Sequence, residues 1–143
     1  MNKHVDIICC VLLGAILTGC SARSGLKKVI VSGKVSYDGQ PVENGQIYFY
    51  PTEGTKGPVS GAPIKDGAYV AHAKDGVPVG NHLVKIEGYR SRDASRDGDM
   101  LTGAASGGAP VQYIPPKYNR STELEVTIPG ENRKFTQDYA LGP

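Results

Sequence analysis

The stretch Val29–Pro51, VIVSGKVSYDGQPVENGQIYFYP, predicts two β-strands joined by a tight turn. In its first part valines alternate with polar or small residues, the period-2 pattern of a strand with one buried face. Asp38-Gly39 then supplies two residues that tolerate a positive φ, so the chain can reverse there. In the second part Ile47 and Phe49 alternate with tyrosines. We expect these two strands to form the pair on which the rest of the fold is built.

The same alternation recurs further along the chain, in Asn81–Arg90 and in two closing strands. Gly and Pro make up 19 and 10 of the 143 residues, which suits regularly punctuated strands better than a disordered chain. Six to seven short strands without a helical run predict an all-β Greek-key β-sandwich over residues 29–143. The apolar faces predict a core that includes Val31, Val35, Ile47, Phe49, Val84, Ile86, Leu124, Val126, Ile128 and Phe135.

The first twenty residues indicate export from the cytoplasm. The apolar run Ile7–Ile16 is too short for a transmembrane helix of ~20 residues but suits the core of a signal peptide. It ends in Leu17-Thr18-Gly19-Cys20, which resembles the bacterial lipobox. The resemblance implies a lipoprotein signal peptide over residues 1–19, lipidation of Cys20, and a polar tether over residues 20–28. An ordinary secretory signal with a coincidental cysteine is the alternative.

Cysteine usage agrees with a lipid anchor. Cys9 and Cys10 lie in the segment that would be removed, so the mature chain would retain Cys20 alone and form no internal disulfide. Ser21 follows that cysteine, as in lipoproteins that are passed on to the outer membrane. We therefore expect a protein of the bacterial cell envelope, attached to a membrane through Cys20, with the outer membrane favoured over the inner.

Composition and motifs argue against several classes of function. The net charge is +2, no long basic stripe is present and the tyrosines are not interleaved with arginines, so nucleic acid is not an expected partner. Trp is absent, which weakens the case for a sugar-stacking platform. No G-x-S-x-G elbow, H-E-x-x-H motif or phosphate-binding glycine loop occurs, so we expect no catalytic residues, no cofactor and no enzyme activity. His72 and His82 have no evident third ligand, which argues against a metal site.

The segment Ser91–Gln112 breaks the strand pattern. A loop of about 20 residues inside a small domain is uncommon, and is usually functional or disordered. Its three aspartates do not have the spacing of a calcium loop, and the arginines between them would repel a cation. We expect a mobile loop that binds an envelope protein or a polysaccharide. The candidate partner-binding residues are Arg90, Arg92, Asp93, Arg96, Asp97 and Asp99.

Tyrosines offer a second kind of binding surface. Several of them are expected either to pack in the sheet or to form a platform for a carbohydrate or another small ligand. These tyrosines are Tyr48, Tyr50, Tyr69, Tyr89, Tyr113 and Tyr118.

The ordered set of motifs along the chain is more specific than any one of them. In order, the motifs are GKVSYDGQPVENGQIYFYP, KDGAY, VPVGNHLVKI, IPPKYN and LEVTIPGENRKFTQDYAL. Together they resemble bacterial lipoproteins with a carboxypeptidase regulatory-like, or transthyretin-like, domain. The resemblance implies a seven-stranded prealbumin-like sandwich without catalytic residues, and a structural or interaction role. The 5-hydroxyisourate hydrolases that share this fold end in Tyr-Arg-Gly-Ser, whereas Tyr139–Pro143 reads YALGP, so that activity is not expected.

Overall fold

The computed structural model describes residues 25–92 and 108–143, and these residues form an all-β fold. Two short 3-10 turns, Ala73–Asp75 and Pro116–Tyr118, interrupt the strands. The strands are β1 (Lys28–Tyr37), β2 (Gln40–Pro41), β3 (Asn44–Pro51), β4 (Ser60–Lys65), β5 (Ala68–Ala71), β6 (Val77–Pro78), β7 (Gly80–Arg92), β8 (Gly108–Gln112), β9 (Glu125–Ile128), β10 (Lys134–Thr136) and β11 (Tyr139–Leu141). The prediction of an all-β domain is thus confirmed.

The strands form one curled, mainly antiparallel sheet in the order β10-β1-β5-β4-β3-β7-β8. Strands β1 and β7 are the longest, at 10 and 13 residues, and each pairs with several short segments. Strand β1 also pairs with β2, β6 and β11, and β7 also pairs with β9. Within residues 25–92 and 108–143 the sheet has 11 strands rather than the expected seven, because these short segments count as separate strands.

The predicted pairing of the first two long strands is wrong. Strands β5 and β4 lie between β1 and β3 in the sheet. The turn at Asp38-Gly39 does form, with φ angles of 49° and 75°, but it joins β1 to the two-residue strand β2. Pro41 has no N–H to extend that ladder, and the buried Val42 then leads the chain into β3. The local turn was therefore predictable, whereas the neighbour of β1 was not.

The core lies on the inner face of the curled sheet, largely as predicted. Ile47, Phe49, Val84 and Ile86 are each 0% exposed. Of the ten predicted core residues, Leu124 and Phe135 are only partly buried. Leu124 precedes β9, and Phe135 lies in the three-residue strand β10 at the margin of the sheet. Core residues that the prediction did not include are Val29, Val42, Ala62, Ile64, Tyr69, Ala71, Val77, Ile114, Tyr139 and Leu141.

The last predicted strand is divided in two, and both halves lie parallel to β1. Strand β10 pairs with residues 30–32 and β11 with residues 35–37. Between them the N–H of Gln137 donates to the carbonyl of Ser32 at 2.8 Å, and Asp138 Oδ1 accepts from the N–H of Lys34 at 2.7 Å. A Cβ on Gly33 would overlap the carbonyl oxygen of Gln137, so the crossing at this point requires a glycine.

The predicted loop at Ser91–Gln112 is shorter at both ends. Strand β7 continues to Arg92, and β8 begins at Gly108 and pairs with it, because the backbone groups on both sides complete an antiparallel ladder. Asp93, Arg96, Asp97 and Asp99 lie outside the described residues, as do Cys20 and residues 1–19, for which the sequence predicts a signal peptide. Within residues 25–92 and 108–143, no helix is long and apolar enough to cross a membrane.

Candidate binding cleft

A concave surface of about 480 Å³ lies at the end of the sheet where β1 ends and β7 meets β8. It combines aromatic rings with charged and amide side chains. Its lining residues are Tyr37, Asp38, Gln40, Pro41, Glu43, Tyr89, Arg90 and Tyr113. We refer to this surface as the tyrosine–arginine cleft.

The aromatic part of the cleft consists of Tyr37, at the end of β1, and Tyr113, just after β8. Tyr37 and Tyr113 meet edge to face, with ring centroids 5.9 Å apart and planes at 63°. The N–H of Tyr113 donates to the carbonyl of Gly88 at 3.0 Å. A Cβ on Gly88 would come within 3.1 Å of the Tyr113 ring, so the glycine lets that ring lie across β7.

Arg90 covers the aromatic part of the cleft. Its guanidinium carbon lies 4.2 Å from the centroid of the Tyr113 ring, within the range of a cation–π contact. Burial raises the pKa of Tyr113, Arg90 opposes that shift, and the carboxylate of Glu43 adds to it. The Tyr113 hydroxyl therefore stays protonated at neutral pH and can donate or accept a hydrogen bond.

The two carboxylates of the cleft come from the turn after β1 and from the connection that follows β2. Asp38 lies in that turn and is fixed by its N–H, which donates to the carbonyl of Leu141 at 2.9 Å. Glu43 follows β2 and is exposed. The described lining residues thus include the carboxylates of Asp38 and Glu43, the guanidinium of Arg90 and the amide of Gln40. Together these groups can both donate hydrogen bonds to a ligand and accept them from it.

Tyr89 connects the cleft to the outer face of the sheet. Its hydroxyl donates to Glu87 Oε2 at 2.6 Å, and Glu87 Oε1 lies 2.7 Å from Lys85 Nζ. The hydrogen bond to Glu87, together with burial, raises the pKa of Tyr89 to about 12. Burial alone would raise the pKa of Glu87, but hydrogen bonds from Lys85 and Tyr89 lower it. The carboxylate is therefore ionised and held between a cation and a hydroxyl.

The two described histidines do not come together. His72 is exposed just after β5, whereas His82 lies in β7, and β4 and β3 separate those strands in the sheet. His82 is 0% exposed, and its ring meets Phe49 edge to face at 6.4 Å. Its Nδ1 lies 3.1 Å from the carbonyl of Gly80, which can only accept, so Nδ1 carries the hydrogen. In residues 25–92 and 108–143, no three His, Cys, Asp or Glu side chains are grouped to hold a metal ion.

Of the predicted partner-binding residues, Arg90 reaches the cleft and Arg92 ends β7. The predicted tyrosine surface separates into two groups. Tyr69 is 2% exposed and is not available to a ligand, whereas Tyr118 is partly buried against the core, as Tyr113 is. Tyr113 lines the cleft. Sequence reasoning missed Tyr37, Asp38, Gln40, Pro41 and Glu43 as members of the site, although all of them lie within a few residues of the turn predicted at Asp38-Gly39.

Comparisons with known proteins leave the family open. No family model matches the sequence, and no curated protein matches it. The crystal structure of a 9R-lipoxygenase from Cyanothece PCC8801 aligns with 82% of this chain at 11% identity and a TM-score of 0.35. The aligned part spans 16% of the lipoxygenase chain. A likeness at this TM-score carries no inference about fold or activity.

Proposed function

We propose that this protein is a non-enzymatic, lipid-anchored domain of the bacterial cell envelope that presents the tyrosine–arginine cleft to an envelope partner. The partner is an envelope protein or a polysaccharide. The observation that supports this role is the position of the cleft, which lies at the end of the sheet opposite the segment that leads back to Cys20.

Strand β1 sets the separation between these two ends. It starts at Lys28 and ends at Tyr37, and 10 residues of strand span about 30 Å. At its start, Leu26 and Lys27 line a second concave surface with Thr55 and Lys56. The N–H of Val79 donates to the carbonyl of Lys27 at 3.0 Å, which ties this segment to the start of β7. A lipid on Cys20 would therefore hold the cleft on the side of the domain that faces away from the membrane.

A prealbumin-like, Greek-key sandwich is the finer fold that we propose. The curled antiparallel sheet with one enclosed core supports it, as does the ordered set of motifs that resembles transthyretin-like lipoproteins. Such a domain provides a stable support for a surface site.

The anchor is tested by substituting Cys20. Cys20→Ala removes the thiol that would accept the lipid, so the precursor should stay unprocessed and the metabolic incorporation of labelled palmitate should be lost. Ser21→Ala is the matched control and should be lipidated as the natural sequence is. Normal maturation of the Cys20→Ala protein, with retention in the detergent phase, would contradict the proposal.

The cleft is tested by photo-crosslinking in intact cells. A photoreactive residue in place of Gln40 at the cleft should capture a specific partner, whereas the same residue at the exposed Lys56, at the opposite end, should not. Capture at Gln40 should fall when Arg90→Ala and Tyr113→Ala are combined. Equal capture at both positions would show that the cleft is not the partner site.

A second candidate function is binding of a carbohydrate or another small ligand. The cleft volume of about 480 Å³ lies in the range of roughly 300–1,000 Å³ that is common for ligand sites. The specific observation in its favour is the combination of two tyrosine rings with Arg90 and Gln40. A glycan in a thermal-shift panel that raises the melting temperature of the natural domain, but not of the Arg90→Ala variant, would support this function.

A further inference from the structure

The outward face of β3 and β7 carries a row of aromatic and charged side chains, separate from the core face. Tyr48 and Tyr50 alternate with the buried Ile47 and Phe49 along β3 and therefore point outward. Tyr50 is 39% exposed. We call the outward set Tyr48, Tyr50, Lys85, Glu87 and Tyr89 the tyrosine strip.

The strip is held in place by its neighbours in the sheet. Tyr48 lies directly opposite both Gly61 of β4 and Lys85 of β7. A Cβ on Gly61 would come within 3.0 Å of the Tyr48 ring, so the absence of a side chain there lets the ring lie over β4. Lys85 Nζ is 5.8 Å from the centroid of Tyr48, and the rings of Tyr48 and Tyr50 are 6.3 Å apart. Side chains on central strands of this kind are positioned more precisely than side chains on loops.

The charged groups of the strip neutralise each other. Lys85 and Glu87 form an ion pair at 2.7 Å, and Tyr89 donates to the same carboxylate at 2.6 Å. The pair adds no net charge to the surface. It still offers an ammonium that can donate further hydrogen bonds and a carboxylate that can accept them. Both groups can therefore form hydrogen bonds with the hydroxyls of an uncharged ligand.

The strip continues into the tyrosine–arginine cleft. Tyr89 belongs to the strip through Glu87 and also lines the cleft. In the register of the sheet, Tyr50 lies opposite Leu83, which is six residues before Tyr89 on β7. Six residues of strand span about 20 Å, so the outward-facing rings extend well beyond the cleft.

We propose that the tyrosine strip binds an extended, uncharged polysaccharide chain that runs along β7 and enters the cleft past Tyr89. This proposal rests on the proposed function of the cleft as a carbohydrate site. The rings of Tyr48 and Tyr50 stack on the apolar faces of successive sugar rings, and Lys85 and Glu87 bond to their hydroxyls. An anionic polymer is disfavoured because the cleft at the end of the path has two carboxylates, Asp38 and Glu43, against the one guanidinium of Arg90.

The test compares chain lengths by isothermal titration calorimetry with neutral cello-, xylo- and manno-oligosaccharides, as disaccharides and hexasaccharides. For at least one series the natural domain should bind the hexasaccharide about tenfold or more tightly than the disaccharide, because the strip adds stacking contacts. Tyr50→Ala and Tyr48→Leu should each weaken hexasaccharide binding about three- to tenfold and leave disaccharide binding unchanged.

Two control variants separate this proposal from the function of the cleft. Val70→Ala removes another exposed apolar side chain, 49% exposed on β5, and should leave both affinities unchanged. Arg90→Ala should weaken binding of both chain lengths. Each variant is first required to melt as a folded domain.

Several results would overturn the proposal. If Arg90→Ala weakens binding but the strip variants bind the hexasaccharide as the natural domain does, the cleft is a carbohydrate site and the strip does not contribute to binding. If no neutral hexasaccharide binds, the polysaccharide strip is excluded, while crosslinking at Gln40 still tests the cleft for a protein partner. Specific capture of a protein by a photoreactive residue at Tyr50 would also exclude a polysaccharide as its occupant.

Discussion

Phe49 occupies the centre of an aromatic cluster in the core. It is 0% exposed, and its ring lies 6.2 Å from that of Tyr69 and 6.4 Å from that of His82. Tyr69 in turn lies 6.4 Å from Tyr139, and its hydroxyl donates to the carbonyl of Gln137 at 2.7 Å. Burial raises the pKa of both tyrosines, so both hydroxyls stay protonated. One side chain of β3 thus supports contacts that reach the C-terminal strands.

Truncation of Phe49 should be strongly destabilising. Phe49→Ala removes a fully buried ring and leaves a cavity among well-packed neighbours, which should lower the free energy of unfolding by about 3–5 kcal/mol. Tyr50→Ala, on the outward face of the same strand, should cost at most about 1 kcal/mol. Urea denaturation measures both values. A loss below about 1 kcal/mol for Phe49→Ala would mean that the ring is not part of the core.

His82 should make the stability of the domain depend on pH. Burial lowers its pKa below the ordinary value, against a smaller opposite effect of its hydrogen bond to Gly80. Nε2 has no hydrogen-bond partner among the described residues, so a proton added there would be buried without an acceptor. The unfolded chain, with a histidine pKa of about 6.5, therefore binds this proton more readily than the folded domain does.

Protonation of His82 should destabilise the folded domain at low pH. Stability due to neutral His82 is fully present above pH ~6.5 and is lost as the pH falls through that value towards the lower folded-state pKa. The free energy of unfolding, measured in urea at a series of pH values, should thus fall below pH ~6.5 in the natural domain. His82→Gln should remove part of this slope, and His72→Gln, at an exposed position, should retain it. Identical slopes for all three proteins would contradict the buried neutral state.

Among the elements, β1 contacts both the N-terminal and the C-terminal parts of the described chain. Residues 25–27 lead directly into it, and the last two strands pair with it. It pairs with β5 in antiparallel register and with β10 and β11 in parallel register. The chain passes from β10 to β11 directly against Gly33, where the Gln137 carbonyl takes the space of a side chain. At this crossing the hydrogen bonds from Gln137 to Ser32 and from Lys34 to Asp138 hold the two parallel segments against β1.

Gly33→Ala should disturb that crossing. The added methyl group would overlap the carbonyl of Gln137, which is backbone and cannot rotate away, so β1 and the β10–β11 connection must separate locally. We expect a loss of about 1–3 kcal/mol in urea denaturation and faster amide exchange at Gln137, whose N–H bonds to Ser32. Gly25→Ala is the matched control, since nothing lies within 4 Å of its Cβ position. Unchanged stability and exchange in Gly33→Ala would exclude the tight crossing.

At the scale of the whole molecule, the two concave surfaces lie at opposite ends of β1. Lys56 belongs to the surface that Leu26 and Lys27 also line, and Gln40 belongs to the tyrosine–arginine cleft. In the proposed lipid-anchored state, this arrangement orients the cleft away from the membrane, and the tyrosine strip runs from the cleft back towards the anchored end of the domain. The orientation follows from where the N-terminal segment joins the sheet.

The orientation can be measured by energy transfer to a dye in the bilayer. Lipidated protein in phospholipid vesicles would carry a fluorophore on Lys56→Cys or, in a second sample, on Gln40→Cys. Transfer should be clearly stronger from position 56, because the two positions lie near opposite ends of a strand about 30 Å long. Equal transfer from both positions would show that the domain lies on its side or tumbles freely. Unanchored domain mixed with the vesicles provides the background.

Much of the local structure was predictable because it depends on neighbours in sequence. The period-2 pattern assigned Ile47, Phe49, Val84 and Ile86 correctly to a buried face. Asp-Gly pairs marked turns that have positive φ, as at Asp66 with 49°. Leu124 and Phe135 followed the same pattern but are only partly buried, since alternation does not reveal how close a strand lies to the margin of the sheet.

The sequence by itself therefore determined that this chain forms strands, where they turn and which side of each is apolar. The tertiary structure alone decided that β5 and β4 separate β1 from β3, and that Tyr37, Arg90 and Tyr113 meet in one cleft. The physical reason is that either edge of a strand offers the same N–H and C=O groups, so local periodicity does not select a partner. That selection depends on which arrangement encloses the core best, and it involves the whole chain at once.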